Sequence, residues 1–244
     1  MSKAIEWNPR PNSAGRAAGP HRRAIAGLLA ALAVLAALSG CGESDNGDGS
    51  AKVNGSIHVP VGRQPGAAST VNGSIHVDDN AAVTSATTVN GSVSLGDHAT
   101  AASLSSVNGS ITLGNGAHVS GGATSVNGAL TLGDASEVSG ELSNVNGTIT
   151  LNAAHVGGGI KTVNGSMTIT GASHVEGGIL VEKPSSDLTQ IVQDVPRIVI
   201  GPGATVQGEL RFERAVKLFV SDKATIGTVS GATPISFTGD TPPT

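Results

Sequence analysis

Tyrosine is absent from this chain, and its one tryptophan, Trp7, stands near the start, far from the patterned region described below. Without aromatic platforms, a glycan-binding face lacks its usual stacking surface. Cations are scarce too. Five of the fourteen Lys+Arg and one of the eighteen Asp+Glu fall in residues 1–41, so residues 42–244 hold nine and seventeen, a formal charge of −8. Nucleic-acid binding needs the opposite balance. Between residues 53 and 180 the only bases are Arg63 and Lys161, so no cationic groove for polyanionic sugars is expected there. The sole cysteine is Cys41, which excludes an internal disulfide even in an oxidising compartment.

What the chain does have is a repeat. Val-Asn-Gly followed by a small residue opens at Val53, Val71, Val89, Val107, Val126, Val145 and Val163, with steps of 18, 18, 18, 19, 19 and 18 residues. A fixed period of this length means a repeat architecture. From Val107 the unit alternates: Ile111 and Leu113 face one way, Ser110 and Thr112 the other, the period-2 pattern of a half-buried strand. Val119 belongs to a second short strand, and Gly114, Asn115 and Gly116 between them suit a bend of positive φ. Apolar spacing of three and four never persists, so these units are not helices.

A coil of about eighteen residues stacks equivalent positions roughly 4.8 Å apart, and each stacked column should then keep its chemical type. One column reads Ile57, Ile75, Val93, Ile111, Leu130, Ile149, Met167, and the next reads Val59, Val77, Leu95, Leu113, Leu132, Leu151, Ile169. A third holds Val119, Val138, Val156 and Val175. No single coil can bury these side chains, whereas stacking gives a continuous apolar shaft. The expected fold is therefore all-β, a single-stranded right-handed parallel β-helix (β-solenoid). The asparagine column from Asn54 to Asn164 reads as structural, its amides bonding from rung to rung as in cross-β ladders. The glycine that follows each asparagine reads as serving the same bend.

Upstream, Arg22 and Arg23 precede an apolar run from Ala24 to Leu38 that is too short to span a bilayer comfortably. It ends Leu38-Ser39-Gly40-Cys41, which resembles the bacterial lipobox. The resemblance implies a lipoprotein signal peptide over 1–40, cleavage before Cys41 and a diacylglyceryl group on its thiol. The stretch before the apolar run, Met1 to His21, is longer than the pattern requires, and a start codon downstream would shorten it. Gly42 in place of Asp implies, by resemblance to enterobacterial lipoproteins, sorting to the outer membrane. After Cys41, residues 42–51 are Gly, Ser, Asp and Asn with Glu43 and Ala51 and carry no sizeable apolar side chain, so 41–51 read as a lipidated flexible tether.

The repeats fill 52–180, with an irregular first turn over Pro60 to Ala68 expected to act as a cap. Residues 181–197 break the pattern and suit a loop or short helix, with apolar residues at 188, 191, 192 and 195. Two further rungs and a cap follow over 198–238, since Ile198 to Val206 and Leu218 to Ile226 repeat the step from Met167 to Val175. That makes about nine rungs, a rod on the order of 40 Å long. Phe212, Phe219 and Phe237 are expected to plug or cover the open end, and 239–244 to form a disordered tail.

The Val-Asn-Gly-Ser-Ile rungs resemble the bacterial β-strand-repeat family of adhesins over Val53 to about Leu180, and Gly-Pro-Gly-Ala-Thr-Val-Gln-Gly-Glu-Leu at 201–210 is similar to rungs of the polymer-forming bactofilins. Neither resemblance transfers a catalytic residue. Polysaccharide lyases and hydrolases built on parallel β-helices need clustered acids or a basic residue in a cleft, and that cluster does not stand out, nor does a Ser-His-Asp or phosphate-loop pattern. No cofactor is expected.

One polar column carries metal-ligand chemistry: His118, Glu137, His155 and His174 each precede the third core column. One rung apart, His155 and His174 could share zinc or another transition metal, with Glu137 and His118 nearby. The bland alternative is a solvated edge. An outward ladder of Ser110, Thr112, Thr148, Thr150, Ser166 and Thr168 suits an exposed strand face and is interrupted by His58, His76 and Ala129, unlike the regular hydroxyl face of ice-binding solenoids. The expectation is a non-catalytic, membrane-anchored surface lipoprotein, adhesin-like or envelope-structural, held through Cys41 and facing an envelope protein or glycan. The alternatives are a self-associating bactofilin-like scaffold and an envelope polysaccharide-active enzyme.

Overall fold

The computed structural model describes residues 49–184 and 195–243. Cys41, the signal-peptide stretch and most of the segment read as a short helix lie outside these residues. Every described element is a strand and every strand pairing is parallel, so the chain is an all-β solenoid. A coil consists of three short strands and three bends. In the coil that starts after Gly109 these are Ile111–Leu113, His118–Val119 and Ala123–Asn127.

Vertical stacking follows the sequence columns residue for residue. Ile111 pairs with Val93 below and Leu130 above, and Leu113 with Leu95 and Leu132. The ladder continues through Met167 to Ile198 and then to Leu218. Two inward columns complete the shaft: Val119, Val138, Val156, Val175, Val206 and Ile226 on the second side, and Ala86, Leu104, Ala123, Leu142, Ile160, Ile179 and Leu210 on the third. The interior is one hydrophobic cluster from Ile57 to Val220. Stacking succeeds because each coil offers its neighbours apolar side chains at the same height, so that every one of them is buried by the coils above and below.

Ten strands stack on the first side, one more than the rung count expected, because Ile235–Phe237 pairs with Lys217–Ser221 as a final coil. At ~4.8 Å per coil the rod is about 45 Å long. The first coil also starts earlier than expected. Gly49–Asn54 is a strand in register with Ala67–Asn72, so the end of the stretch read as tether is part of the fold. Pro60 to Arg63 forms a turn with Gly62 at φ 79°, after which pairing resumes at Ala67. Near the excursion, Val181 is still fully buried in Ile179–Val181, and Arg197 already belongs to Arg197–Ile200, so both ends of the segment read as 181–197 are solenoid strands.

The corners hold the coils together. Asparagine amides form an unbroken chain, from Asn72 Nδ2 to Asn54 Oδ1 at 3.0 Å through to Asn164 Nδ2 to Asn146 Oδ1 at 2.9 Å. Arg214 closes it by donating to Val163 O (3.0 Å) and to Asn164 Oδ1. Inside the same corner, five of the residues that precede a Val-Asn-Gly valine are buried and donate to a glycine carbonyl: Thr70 to Gly55, Thr88 to Gly73, Ser106 to Gly91, Ser125 to Gly109 and Asn144 to Gly128, at 2.8–3.1 Å; Thr162, also buried, accepts from Gly165 N at 2.9 Å instead. These bonds satisfy polar groups that the shaft takes out of water.

Two of the motif glycines, Gly55 (φ 108°) and Gly147 (φ 136°), have positive φ, but the others correct the expectation of such a bend. Gly73, Gly91, Gly109 and Gly128 do not have positive φ. A Cβ on any of them would instead fall within 3.0 Å of backbone in the coil below, for Gly109 the carbonyl of Gly91 and Ser92 N. Close approach of backbones, not handedness, selects glycine here. The positive-φ position lies at the next bend, at Asn80, His98, Gly116, Ala135, Ala153 and Gly171.

The phenylalanines do not plug the end. Phe212 is inside the shaft above Val181, whereas Phe219 and Phe237 join Val199 in a second, separate cluster. Phe219 and Val199 alternate with the inward residues Leu218 and Val220, and Ile198 and Ile200, so they face outward. Arg197 lies over the Phe219 ring, 4.3 Å from its centroid, and donates to Pro243 O at 3.1 Å. Pro243 O thus lies against this side of the solenoid. The cluster and the cation over it give the tail a surface to hold.

Candidate functional site

Histidines point outward from two of the strands of a coil as well as from the bend at His98. In the two-residue strands His118–Val119, Glu137–Val138, His155–Val156 and His174–Val175 the valine points into the shaft and the preceding residue points out. Parallel register then sets His118, Glu137, His155 and His174 in one vertical line.

Within that line the carboxylate of Glu137 sits between two imidazoles, 3.4 Å from His118 Nδ1 and 3.7 Å from His155 Nδ1. Ser139 Oγ approaches the same carboxylate at 3.3 Å. On its other edge, His155 Nε2 lies 3.0 Å from Glu176 Oε1. The rings of His155 and His174 have centroids 5.6 Å apart and tilt by 33°. All of these side chains are roughly half-exposed.

The four residues singled out from the sequence therefore share one line, but they are not one ligand set. The group whose ligand atoms all lie within 4.8 Å of one another is His155, His174 and Glu176. His118 sits two coils below His155 with Glu137 between them, as its place in the register requires. Glu176 was missed. Its signal is a two-residue step, His174-Val175-Glu176, which puts the histidine and the acid on the same outward face.

A second group was missed entirely: His58, His76 and Asp78. His58 and His76 lie in the outward position between the first and second core columns, in Ile57–Val59 and Ile75–Val77. Their signal was the same step, His76-Val77-Asp78, with a histidine one coil below.

Elsewhere the outer surface is shallow. One recess of about 270 Å³ is lined by Glu141, Lys161, Glu209 and Arg211 together with backbone of the glycine-rich bend. Two of its charges are already engaged, Lys161 with Glu182 at 2.9 Å and Arg211 with Glu213 at 2.7 Å. Among the described residues no helix is long and apolar enough to cross a membrane. Comparison of the chain with protein-family models, with curated proteins and with solved structures finds no match.

Proposed function

We propose that this chain is a lipid-anchored envelope protein that works without catalysis, as a stiff rod presenting long repetitive faces for adhesion or envelope organisation. The observation that carries the reading is the uniformity of the coils. The shaft is filled from Ile57 to Val220, and the asparagine column runs along the outside of the same stack from Asn54 to Asn164. A stack of this kind displays one surface many times, which suits weak contacts summed over length. The Leu-Ser-Gly-Cys sequence ending at Cys41 supplies the attachment, since each buried methylene of an acyl chain contributes roughly 0.8 kcal/mol.

The test is metabolic labelling with a radioactive fatty acid in a bacterial host, followed by fractionation. The wild-type chain should carry label and sediment with membranes, and Cys41→Ser should lose both. Unlabelled, soluble wild-type protein would sink the reading.

A scaffold reading has its own support. Apart from Val195 beside the excursion, the exposed large apolar residues among those described sit at the two ends of the rod, Val53 and Val61 in the first coil and Ile235 in the last. Terminal coils of a solenoid also present unpaired strand edges. Filaments that form with rising concentration, and that Ile235→Lys abolishes, would favour it over the monomeric rod.

A further inference from the structure

We propose that His58, His76 and Asp78 form a binding site for a divalent transition metal on the first two coils of the rod. The two histidines are register partners, so their Cα atoms are fixed one coil apart by the ladder between Ile57–Val59 and Ile75–Val77. Their rings stack with centroids 5.6 Å apart and only 21° between planes. Both Nε2 atoms point at one carboxylate: His58 Nε2 is 3.1 Å from Asp78 Oδ2, and His76 Nε2 is 3.4 Å from Asp78 Oδ1.

These separations are those of ligands around a metal. Zinc holds imidazole nitrogen and carboxylate oxygen at about 2.0–2.2 Å, so neighbouring ligands of a tetrahedral ion are about 3.4 Å apart and those of an octahedral ion about 3.0 Å. Each nitrogen stands at such a distance from one of the two carboxylate oxygens, His58 from Oδ2 and His76 from Oδ1, and one ligand atom from each of the three residues lies within 4.8 Å of the others. The two histidines are more than half exposed, which leaves room for water to complete the coordination.

Ligand chemistry names the class of ion. Two imidazoles and one carboxylate suit zinc, nickel or copper, whereas calcium takes six to eight oxygens and magnesium keeps an oxygen octahedron. Backbone geometry prepares the site. Asp78 N donates to Val59 O at 3.0 Å, and Ala81 N donates to Asp78 O at 3.0 Å, so the bend carrying the carboxylate is held at both sides before any ion arrives. Such preorganisation reduces the ordering cost of binding.

The full chain in detergent, with His155→Ala and His174→Ala introduced to silence the other histidine pair, is titrated with zinc by calorimetry and with cobalt by absorption. One equivalent should bind, and cobalt should give the visible bands of a nitrogen and oxygen site. His76→Ala and Asp78→Asn should each weaken zinc by at least tenfold, whereas His98→Asn, at an exposed bend of the neighbouring coil, should not change it. Excess calcium should not compete. Absence of binding in the silenced background, or binding that survives both His76→Ala and Asp78→Asn, overturns the proposal; an unchanged melting temperature in these exposed variants excludes loss of fold as the cause.

Discussion

Gly109→Ala separates two explanations of the motif glycine by the sign of its effect. If glycine were present only because nothing selects a larger residue, alanine would stabilise the strand by roughly 0.5–1 kcal/mol through the lost freedom of the unfolded chain. If backbone approach selects it, the added Cβ meets the Gly91 carbonyl and lies 3.0 Å or less from Ser92 N, against 3.4–4 Å for an ordinary contact. The lower coil would have to retreat on the order of an ångström, beyond the range in which its hydrogen bonds survive. Ser106 Oγ to Gly91 O (3.0 Å) and Gly91 N to Asn108 O (3.1 Å) are the bonds at stake.

Leaving both partially buried pairs unmade costs about 3 kcal/mol, using roughly 1–3 kcal/mol per unsatisfied group. For a fold of this size each kcal/mol moves the melting temperature by about 2–4 °C, so a fall of about 6–12 °C is expected. Thermal unfolding of the full chain by far-ultraviolet circular dichroism reads it. Gly109→Asn sharpens the test, because asparagine accepts a left-handed backbone and would be tolerated if φ were the reason. A Gly109→Ala protein that melts at or above the wild-type temperature refutes the steric account.

Two substitutions should stabilise. Asn144 donates to Gly128 O at 2.8 Å, but its Oδ1 is buried without a partner, and threonine does the same work one atom shorter at Thr88; Asn144→Thr should gain about 1–2 kcal/mol and raise the melting temperature. Ala135 has φ 55°, a left-handed conformation that costs an L-residue roughly 1–2 kcal/mol, while Gly116 occupies the equivalent position one coil below. After glycine's added chain entropy is subtracted, Ala135→Gly should gain about 0.5–1 kcal/mol by the same melting assay, and a loss would show that the Ala135 methyl packs usefully.

The shaft was legible because parallel stacking writes itself into the chain as columns of one chemical type. Ile111 sits between Val93 and Leu130 in sequence period and in space alike. At the corners the asparagine ladder was legible, but the hydroxyls beside it were not, since a polar residue reads as exposed until the coil is closed around it. Thr88 and Ser106 look like surface hydroxyls, yet they are buried, and each anchors the carbonyl of a glycine in the coil below. Glycine misled for a related reason: a sequence records that Cβ is missing, and φ and close approach remove it equally well.

Side chains that act across coils were visible only in part. The line from His118 to His174 followed from its constant offset before the third core column, but Glu176 and Asp78 needed a further step, the counting of two residues along the outward face. At the far end, periodicity failed because the corner motif is gone. There Phe212 turned inward at the position held by Val181 and Thr162 in lower coils, while Phe219 took the outward place above Val199. Alternation along a strand fixes which neighbour goes in and which goes out only once one of them is anchored, and here the anchors Leu218 and Val220 belong to columns that start eight coils earlier. The outward pair then exposes an aromatic face next to Arg197. A chain end that can reach this face gains more by covering it than by remaining free, which is why Phe237 and the Pro243 carbonyl lie where they do.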